Sequence, residues 1–572
     1  MSYFLKKSTP SKKGLYLQIY QTFYVPKKGK RNKSYKALGY VSELKDSGVE
    51  DPIAWAQSQI DELNEREAKR PVPKIGSVSV QKNVGYFLLK SMMDYMGIDG
   101  DLRIMTQNRK FQYDFPGFLR AMIYAQVVNP GSKHKTFEEV IPTLYGVDSF
   151  SYDQILDGVN FIGQDYKKFV ELFNAKITKR YKRDTSTAYF DCTNYYFEID
   201  LPSEDRQKGP SKENRKSPII SQALMLDRDQ IPIAMSMFPG NESEKPELRK
   251  AIEDIKTRYD ISSKIVQVAD KGLNCAKNIY AAVREANDGY LFSKSVHGHY
   301  LSETEKEWIL LDNDQNQWTE VKGKNGKTVY KYKEAVGDYS YKFRDDDGNI
   351  QTFTVREKRV VTYNYTLARK QTAEIEKEVD KAKRVSSYKE AHKEDYGDSI
   401  KYVIFERDGK KVKGDAVLNE KKIKEDKMFA GYNLLVTSEL GMSAREIYDM
   451  YHGLWRIEES FRVMKTYLEA RPTYVRDRYS IYGHFTICYL ALTVLRLLEL
   501  KVFDEEIPVG QIVKFMRDYS VTETPEGEYI NAATKSSMVD KIREVFGISK
   551  LDNLYLKKKD IKNFLSAEIP EP

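Results

Sequence analysis

The stretch YHGLWRIEESFRVMK, residues 451–465, decides how this chain is interpreted. Tyr451, Glu458 and Lys465 are each seven residues apart, and this spacing returns all three to nearly the same face of an α-helix. Residues 444–466 contain no proline, and the one internal glycine, Gly453, costs a helix only about 1 kcal/mol. We therefore predict one helix over residues 444–466 that presents a phenol, a carboxylate and an ammonium along one stripe. A solvated helix face with a chance repeat would show the same pattern.

Two acids upstream follow short apolar runs that are typical of buried strands. Asp191 comes after residues 187–190 in STAYFDCTNYYFE, and Asp270 comes after a β-branched run in KIVQVADKGLNC. A carboxylate at the end of a buried strand is unfavourable unless it is paired or bound to a metal. If the two strands are neighbours, both aspartates and Glu458 form one cluster. Taken alone, each aspartate is more simply a cap of the loop that follows it.

A cluster of three carboxylates beside a phenol and an ammonium suits chemistry on a phosphodiester. Carboxylate ligands favour Mg²⁺ or Mn²⁺ over zinc. Two such ions can activate a nucleophile and stabilise a leaving oxygen, while Tyr451 and Lys465 hold the neighbouring phosphate. Asp191, Asp270 and Glu458 are therefore our candidate catalytic residues and metal ligands.

Composition agrees with a large protein that acts on a polyanion. The chain has 572 residues and a net charge of +9, and residues 1–50 carry 11 Lys and Arg against 3 Asp and Glu. Its three cysteines have no CxxC spacing, which indicates a reducing compartment. The N-terminus lacks the apolar segment of a signal peptide, and the apolar stretch 485–495 is too short to span a bilayer. We therefore predict a cytoplasmic protein without a membrane partner.

Patterning along the chain predicts an α/β protein of several parts. Residues 15–25 alternate apolar and polar side chains, and a basic turn, PKKGKRNK, leads into the return strand SYKALGYV. From these patterns we predict a basic N-terminal β-hairpin domain (1–75), a helical domain that is a candidate for DNA binding (76–184), the first part of a catalytic domain (185–292), a β-rich insertion domain (293–426), the second part of the catalytic domain (427–500) and a C-terminal helical region (501–572).

The catalytic part has the strand order of a ribonuclease-H-like fold. Three strand signals in residues 187–190, 221–226 and 232–238 precede a helix over residues 246–259 and a further strand that ends at Asp270. In that fold the first and fourth strands are neighbours, so Asp191 and Asp270 would meet. About 188 residues separate Asp270 from Glu458, far too many for a loop, and this distance requires an inserted domain.

The combination resembles a known family. The blocks YFDCTNYYFE (189–198), VADKGLNCAKN (268–278) and the Tyr451–Glu458–Lys465 spacing resemble the catalytic blocks of bacterial insertion-sequence transposases of the DDE class. The third block is similar to the tyrosine–arginine–glutamate–lysine signature, Y-x2-R-x3-E-x6-K, of the insertion-sequence-four superfamily. The similarity covers roughly residues 185–500. It departs from the signature at one position, where Leu454 stands in place of the arginine.

The resemblance implies DNA cleavage at the ends of a mobile element and joining of those ends to target DNA, with Mg²⁺ as the metal and Mn²⁺ as a substitute. It implies double-stranded DNA as partner, a homodimer in the synaptic complex, and a bacterial, nucleoid-associated location. Tyr451, Lys465, Arg462 and Arg456 are the candidate DNA-binding residues. Arg462 either contacts phosphate in place of the missing arginine or forms an i,i+4 pair with Glu458.

Two other functions are compatible with these residues. A metal-dependent nuclease on the same fold would cleave DNA without strand transfer. A domesticated DNA-binding protein would have lost catalysis, although all three acids are present here. A glycosidase with a carboxylate pair is a more distant alternative, because it gives no reason for the basic N-terminus or for Lys465.

Overall fold

The structure is a computed structural model whose residues divide into two units. One unit comprises Met1–Ser79 with Glu523–Glu526, and the other comprises Val80–Thr522 with Gly527–Pro572. The predicted boundary between residues 75 and 76 lies outside the described residues. The structure describes residues 2–11, 14–25, 29–69, 80–199, 201–212, 216–259, 261–297, 301–311, 318–323, 325–387, 391–405, 411–412, 416–524 and 526–570.

The N-terminal unit is built on a three-stranded antiparallel sheet. Its elements are β1 (Ser2–Ser11), β2 (Gly14–Val25), β3 (Gly29–Tyr40), α1 (Val41–Asp46) and α2 (Pro52–Ala68), with the strands in the order β1-β2-β3. Leu17 and Ile19 of β2 are buried, as are Ala56 and Ile60 of α2, which packs against β1 and β2. The predicted hairpin is confirmed in β2 and β3, and β1 adds a strand that the sequence pattern did not predict.

Residues 80–184 are mainly helical. The elements are β4 (Lys82–Asn83), α3 (Phe87–Met96), α4 (Asp99–Thr106), α5 (Phe115–Val128), α6 (Lys133–Lys135), a π-helical turn (Thr136–Val140), a 3-10 turn (Ile141–Thr143), α7 (Tyr152–Gln164) and α8 (Tyr166–Tyr181). Asp114 caps α5 by accepting the Gly117 backbone N–H, and Pro116 lies in the first turn, where no N–H is needed.

A mixed sheet of nine strands forms the centre of the second unit. Its first part contains β5 (Thr187–Tyr196), β6 (Ile219–Leu226), β7 (Pro232–Pro239), α9 (Lys245–Arg258), β8 (Val266–Ala269), α10 (Ala276–Tyr280), a π-helical turn (Ala281–Glu285) and β9 (Gly289–Lys294). Strands β5, β6 and β7 are antiparallel, whereas β8 pairs in parallel with both β5 and β9. The predicted neighbourhood of the first and fourth strands is therefore confirmed.

The segment predicted as a β-rich insertion contributes long strands to this same sheet. It contains α11 (Glu303–Leu310), β10 (Thr319–Lys322), β11 (Thr328–Arg344), β12 (Ile350–Tyr363), α12 (Tyr365–Ser386), β13 (Ala391–His392), α13 (Lys393–Tyr396), a 3-10 turn (Gly397–Tyr402), β14 (Val403–Phe405), β15 (Lys411–Val412), β16 (Ala416–Leu418) and α14 (Glu420–Met428). The next strand, β17 (Tyr432–Thr437), joins β12 to β9. The complete order is β10-β11-β12-β17-β9-β8-β5-β6-β7.

The C-terminal part packs helices beside this sheet. It contains α15 (Ala444–His452), α16 (Trp455–Arg462), a π-helical turn (Val463–Tyr467), α17 (Arg478–Leu497), a second π-helical turn (Leu498–Val502), α18 (Val509–Asp518), β18 (Ser520–Glu523), β19 (Tyr529–Asn531), α19 (Ser537–Val545), β20 (Tyr555–Leu556) and α20 (Lys558–Leu565). The tail was predicted to be helical, and this prediction is incomplete. Its three short strands pair with one another and with β4, in the order β20-β19-β18-β4.

Helix α17 contains the apolar stretch that the sequence places in the interior. Every residue of α17 from Ser480 to Leu497 is buried, against α5, α7 and α8 among others. Gly483 permits the crossing with α7, because a Cβ there would overlap the backbone carbonyl of Val159. Among the described helices, none has the length and apolar character needed to cross a membrane.

A polar cluster is enclosed where α17 meets α5 and α6. The Lys133 ammonium lies 3.4 Å from His484 Nδ1 and 3.4 Å from Gln126 Oε1, and all three residues are buried. His484 Nε2 lies 3.1 Å from the Ala470 carbonyl oxygen, which can only accept a hydrogen bond. Burial, and then the charge of Lys133, lower the pKa of His484 from its usual 6.5 to about 3. The imidazole is therefore neutral at pH 7.

We predict that His484 makes the protein less stable in mild acid. The unfolded chain binds a proton at this imidazole below about pH 6.5, whereas the folded chain resists it until about pH 3. This difference lowers the free energy of unfolding by up to about 1.4 kcal/mol per pH unit over that window. In urea titrations at pH 7 and pH 5, His484→Gln should lose less stability than the wild type. His134→Gln, at an exposed histidine, is the control, and equal losses in all three proteins would contradict the prediction.

Candidate active site

Asp191 lies within the central strand β5. The predicted strand over residues 187–190 was too short, since β6 pairs with β5 from Tyr189 as far as Tyr196. Asp191 is therefore inside the strand rather than near its end. Its carboxylate is half-buried, and burial raises its pKa from 3.8 to about 6, although the Lys212 ammonium opposes the shift. Two other acids, Glu244 and Asp270, raise the pKa further.

Asp270 lies beside Asp191 because of the parallel register between β5 and β8. The last residue pair in the register of β5 and β8 is Phe190 with Ala269. The residue that follows each of them is one of the two aspartates. Asp270 is exposed, and it comes immediately after the end of β8. The pairing of two strands thus brings together two acids that are 79 positions apart in the sequence.

Tyr451 donates a hydrogen bond from its hydroxyl to Asp270 Oδ1, at 2.8 Å. Burial raises the pKa of this phenol well above its usual value, and the charges of Asp270 and Glu458 raise it further. The phenol therefore keeps its proton and remains a donor at physiological pH. Because Tyr451 lies on α15, this hydrogen bond connects α15 with the residue that follows β8.

The predicted single helix over residues 444–466 is wrong in one respect, since it is interrupted after His452. Ser443 caps α15, and α16 begins only at Trp455. The interruption lies where the chain passes over β5, because a Cβ on Gly453 would be 2.7 Å from the Tyr189 ring. Tyr189 precedes Asp191 by two residues, so this glycine lets the helical segment approach the strand of the first acid.

Glu458 lies in the first turn of α16 and is exposed to solvent. Lys465, in the π-helical turn after α16, is half-buried, and its ammonium donates to Thr193 Oγ1 at 2.8 Å. Thr193 is two residues after Asp191, so both side chains emerge from the same face of β5. Lys465 therefore lies beside the strand of Asp191, whereas the placement of Glu458 in the site stays a prediction.

The two candidate arginines lie in different surroundings. The Arg462 side chain is 69% exposed, and its guanidinium lies 3.4 Å from Glu459 rather than pairing with Glu458. Arg456 is buried, with its guanidinium 2.9 Å from Glu459 and 2.5 Å from Glu505. Arg462 therefore faces solvent, where a DNA phosphate could reach it, whereas Arg456 is used inside the protein.

Arg456 belongs to a buried ionic network that fixes α16 on α17. Arg496, which is fully buried, lies 3.0 Å from Glu459 and 2.5 Å from Glu499. Burial opposes ionisation of Glu459, but Arg496 and Arg456 outweigh this effect and lower its pKa. Removing one member of such a network would leave an uncompensated buried charge. The helix that presents Glu458 is thus held from the side opposite to the sheet.

Sequence reasoning missed two residues that contact the acid site. Lys212 lies 3.7 Å from Asp191 Oδ1 and also 3.7 Å from Glu244 Oε1, which makes Glu244 a fourth acid near Asp191. Both residues come from the stretch GPSKENRKSPIISQALMLDRDQIPIAMSMFPGNESE between the first two blocks. Neither shows a spacing signal of its own, and only the pairing of β5, β6 and β7 brings them to Asp191.

A cleft of about 1370 Å³ begins at the loop after Asp270. Its lining includes Lys271 and Gly272 of this loop, Lys294 at the end of β9, and Tyr339 and Lys342 of β11. Burial lowers the pKa of Lys294 to about 8, and the neighbouring Arg359 guanidinium lowers it as well. The cleft therefore combines cationic and aromatic side chains, which suit a nucleic acid strand.

The acids fit a divalent cation in the chemistry of their oxygen donors, but they do not converge in this structure. Among the described residues, no group of three or more His, Cys, Asp or Glu is arranged to hold a metal ion. Burial raises the pKa of Asp191, and the charges of Glu244 and Asp270 add to the shift, so its negative charge is unfavourable here. A cation bound beside Asp191 would stabilise that charge.

Comparison with known proteins shows the family to which this chain belongs. A family model for the transposase DDE domain matches residues 197–494, just over half of the chain. The chain belongs to the transposase DDE domain family. Asp270 and Glu458 lie inside the matched region, and Asp191 lies six residues before it.

Structural comparison adds one more distant transposase. A cryo-EM structure of a piggyBac transposase synaptic complex with hairpin DNA has a TM-score of 0.35 and 9% sequence identity, covering 77% of this chain and 79% of that chain. A likeness at this level does not establish a shared fold. No curated protein sequence matches this transposase at a significant level.

We predict that Gly453→Ala destabilises the transposase by about 1–3 kcal/mol, because the added methyl group overpacks against Tyr189. Shortening the opposing side chain should relieve the clash, so Gly453→Ala should cost less in a Tyr189→Leu background. Thermal unfolding of the four proteins of this double-mutant cycle measures the coupling. Gly441→Ala is the control, since a Cβ there meets nothing within 4 Å. Additive effects at residues 453 and 189 would refute the steric explanation.

Proposed function

We propose that this protein is a Mg²⁺-dependent DDE transposase that cleaves DNA at the ends of an insertion sequence and joins those ends to target DNA. The observation that carries the proposal is the register of β5 and β8, which puts Asp191 and Asp270 side by side. The hydrogen bond from Tyr451 to Asp270 supports the proposal further, since it ties α15, the helix before the one that carries Glu458, to the second acid. The strand order from β5 to β9 supports a ribonuclease-H-like catalytic fold.

Asp191, Asp270 and Glu458 would hold the metal. Bound Mg²⁺, for which Mn²⁺ can substitute, would activate water or a DNA 3′-hydroxyl and stabilise the leaving oxygen. As a metal ligand, Asp191 would carry its negative charge in a half-buried position. In the metal-free protein the Lys212 ammonium, 3.7 Å away, partly compensates that charge.

The cationic and hydroxyl groups around the acids would orient the DNA. Tyr451 donates from a phenol that keeps its proton, and Lys465 is held over β5 by Thr193. Exposed Arg462 can reach a phosphate next to the cleaved bond, and it takes the place of the arginine that Leu454 replaces in the insertion-sequence-four signature. We assign Arg456 a structural role instead, because acids already surround its guanidinium. The cleft beyond Lys271 would take part of the DNA.

The partners follow from the reaction. The transposase would bind the double-stranded DNA of both element ends and of the target, and a homodimer would hold two ends together in a synaptic complex. A nuclease on the same fold is the second candidate, since the same acids suffice for cleavage alone. Incubating the protein with end and target DNA and sequencing the joined products separates the two functions.

We predict that Asp191→Asn, Asp270→Asn and Glu458→Gln each reduce DNA cleavage by at least about a thousandfold, because each change removes a metal-binding carboxylate oxygen. DNA affinity measured in Ca²⁺ should change by less than about threefold. Asp449→Asn, at an exposed acid on α15, is the matched control and should leave cleavage intact. Cleavage that persists in any of the three variants would remove that residue from the active site.

We also predict opposite effects for the two arginines. Arg462→Ala should weaken binding of end DNA and reduce the slope of log K against log[salt] by about 1, since one phosphate contact is lost. Its thermal stability should not change, because its ion pair with Glu459 is exposed. Arg456→Ala should instead lower stability by about 3–5 kcal/mol, since it leaves Arg496 alone to compensate both Glu459 and Glu499 in a buried network. If Arg462→Ala leaves DNA affinity unchanged but raises the Mg²⁺ requirement, Arg462 orients the metal site instead.

A further inference from the structure

We propose that the exposed face of the N-terminal sheet reads base sequence in the major groove of duplex DNA. This inference rests on the proposed function, because it supplies the recognition of element ends that a transposase needs. The active site does not provide this recognition, since a metal site that acts on the phosphodiester backbone carries no base sequence information.

The strand register defines which side chains share this exposed face. Leu17 and Ile19 are buried on the opposite face of β2, so Gln18, Tyr20 and Thr22 emerge from the exposed face. Residues directly opposite one another in neighbouring strands lie on the same face. The sequence-reading face therefore consists of Phe4, Lys6 and Ser8 on β1, Tyr16, Gln18, Tyr20 and Thr22 on β2, and Asn32, Ser34, Ala37 and Tyr40 on β3.

The side chains of the sequence-reading face are already held in place by one another. The Lys6 ammonium donates to the Tyr20 hydroxyl at 3.2 Å and lies 4.4 Å from the centroid of that ring. Thr22 Oγ1 donates to Asn32 Oδ1 at 2.9 Å, and this hydrogen bond orients the Asn32 amide. A face that is ordered before binding loses less conformational entropy when it meets a rigid partner.

The charge of this segment selects a polyanion as the partner. Residues 1–40 contain ten Lys and Arg and no Asp or Glu, although the whole chain has a net charge of only +9. Lys30, Arg31, Lys33 and Lys36 of β3 are all exposed, and three of them, Arg31, Lys33 and Lys36, emerge from the face opposite to the sequence-reading face. A protein surface would be expected to offer both signs of charge, so an edge strand this uniformly basic fits a phosphate backbone along one side of a groove.

The polar composition of the face selects the base edges of a duplex. Three strands spaced about 4.8 Å apart span roughly 10 Å, and the major groove is about 12 Å wide. Asn and Gln amides pair in a bidentate manner with adenine, and an exposed phenyl ring such as Phe4 packs on the thymine methyl group. Single-stranded nucleic acid would instead favour open aromatic platforms, whereas Tyr20 is covered by Lys6.

The experiment is a selection with the full-length protein on a library of duplexes that have a random 20-base-pair centre. The wild type should enrich one motif. Gln18→Ala/Asn32→Ala should lower the preference for that motif over a scrambled duplex by at least about tenfold. Affinity for the scrambled duplex, and its salt slope, should stay within about twofold of the wild type. Gln57→Ala, on α2, is the matched control and should leave the preference unchanged.

The remaining outcomes decide against the inference. No enriched motif, an unchanged preference in the double variant, or equal competition by single-stranded DNA would overturn it. Circular dichroism verifies that the double variant is folded, and Gln18→Glu provides a second variant of almost unchanged size, which should also lose the preference. A different result would contradict the proposed function. If the protein selects a motif but neither cleaves nor joins DNA, the sequence-reading face is supported and the proposed transposase activity is not.

Discussion

The position of strand β5 between β6 and β8 is the constraint on which the active site depends. Pairing with β8 puts Asp191 next to Asp270, and pairing with β6 carries the strand on through Thr193, the partner of Lys465. The ring of Tyr189 on the same strand meets Gly453. The two aspartates, Lys465 and the turn at Gly453 therefore all depend on β5, so a shift in the register of this strand would separate them at once.

A second constraint acts from the other side of the Glu458 helix. Arg496 lies in a helix that is buried over 18 consecutive residues, and an unpaired guanidinium there would be very costly. Glu459 and Glu499 compensate this charge, and Glu459 is the residue next to Glu458. The ion pairs that neutralise Arg496 therefore also fix the position of Glu459 and, with it, the backbone of the neighbouring candidate catalytic acid, Glu458. This arrangement explains why an arginine interrupts an otherwise apolar stretch.

Much of this arrangement was predictable from the sequence, because the signals were local or periodic. Apolar runs before Asp191 and Asp270 predicted the two strands, and the seven-residue spacing predicted a helical segment whose Lys465 contacts the strand of Asp191. The interruption at Gly453 was not predictable, since a single glycine costs a helix little and the reason for the interruption is a ring on a distant strand. Lys212, Glu244 and the burial of Arg456 were also out of reach, because each depends on contacts between segments that no local pattern links.

The acid within β5 is surrounded by donor groups of the protein itself. Burial raises the pKa of Asp191, the charges of Glu244 and Asp270 raise it further, and the Lys212 ammonium opposes the shift. The Tyr451 phenol donates to Asp270, and the Lys465 ammonium donates to Thr193 of the same strand as Asp191. Since each donor lies close to an acid or to its strand, the charge at the centre of the site is compensated from several segments at once. A divalent cation held by Asp191 would compete with Lys212 for this carboxylate.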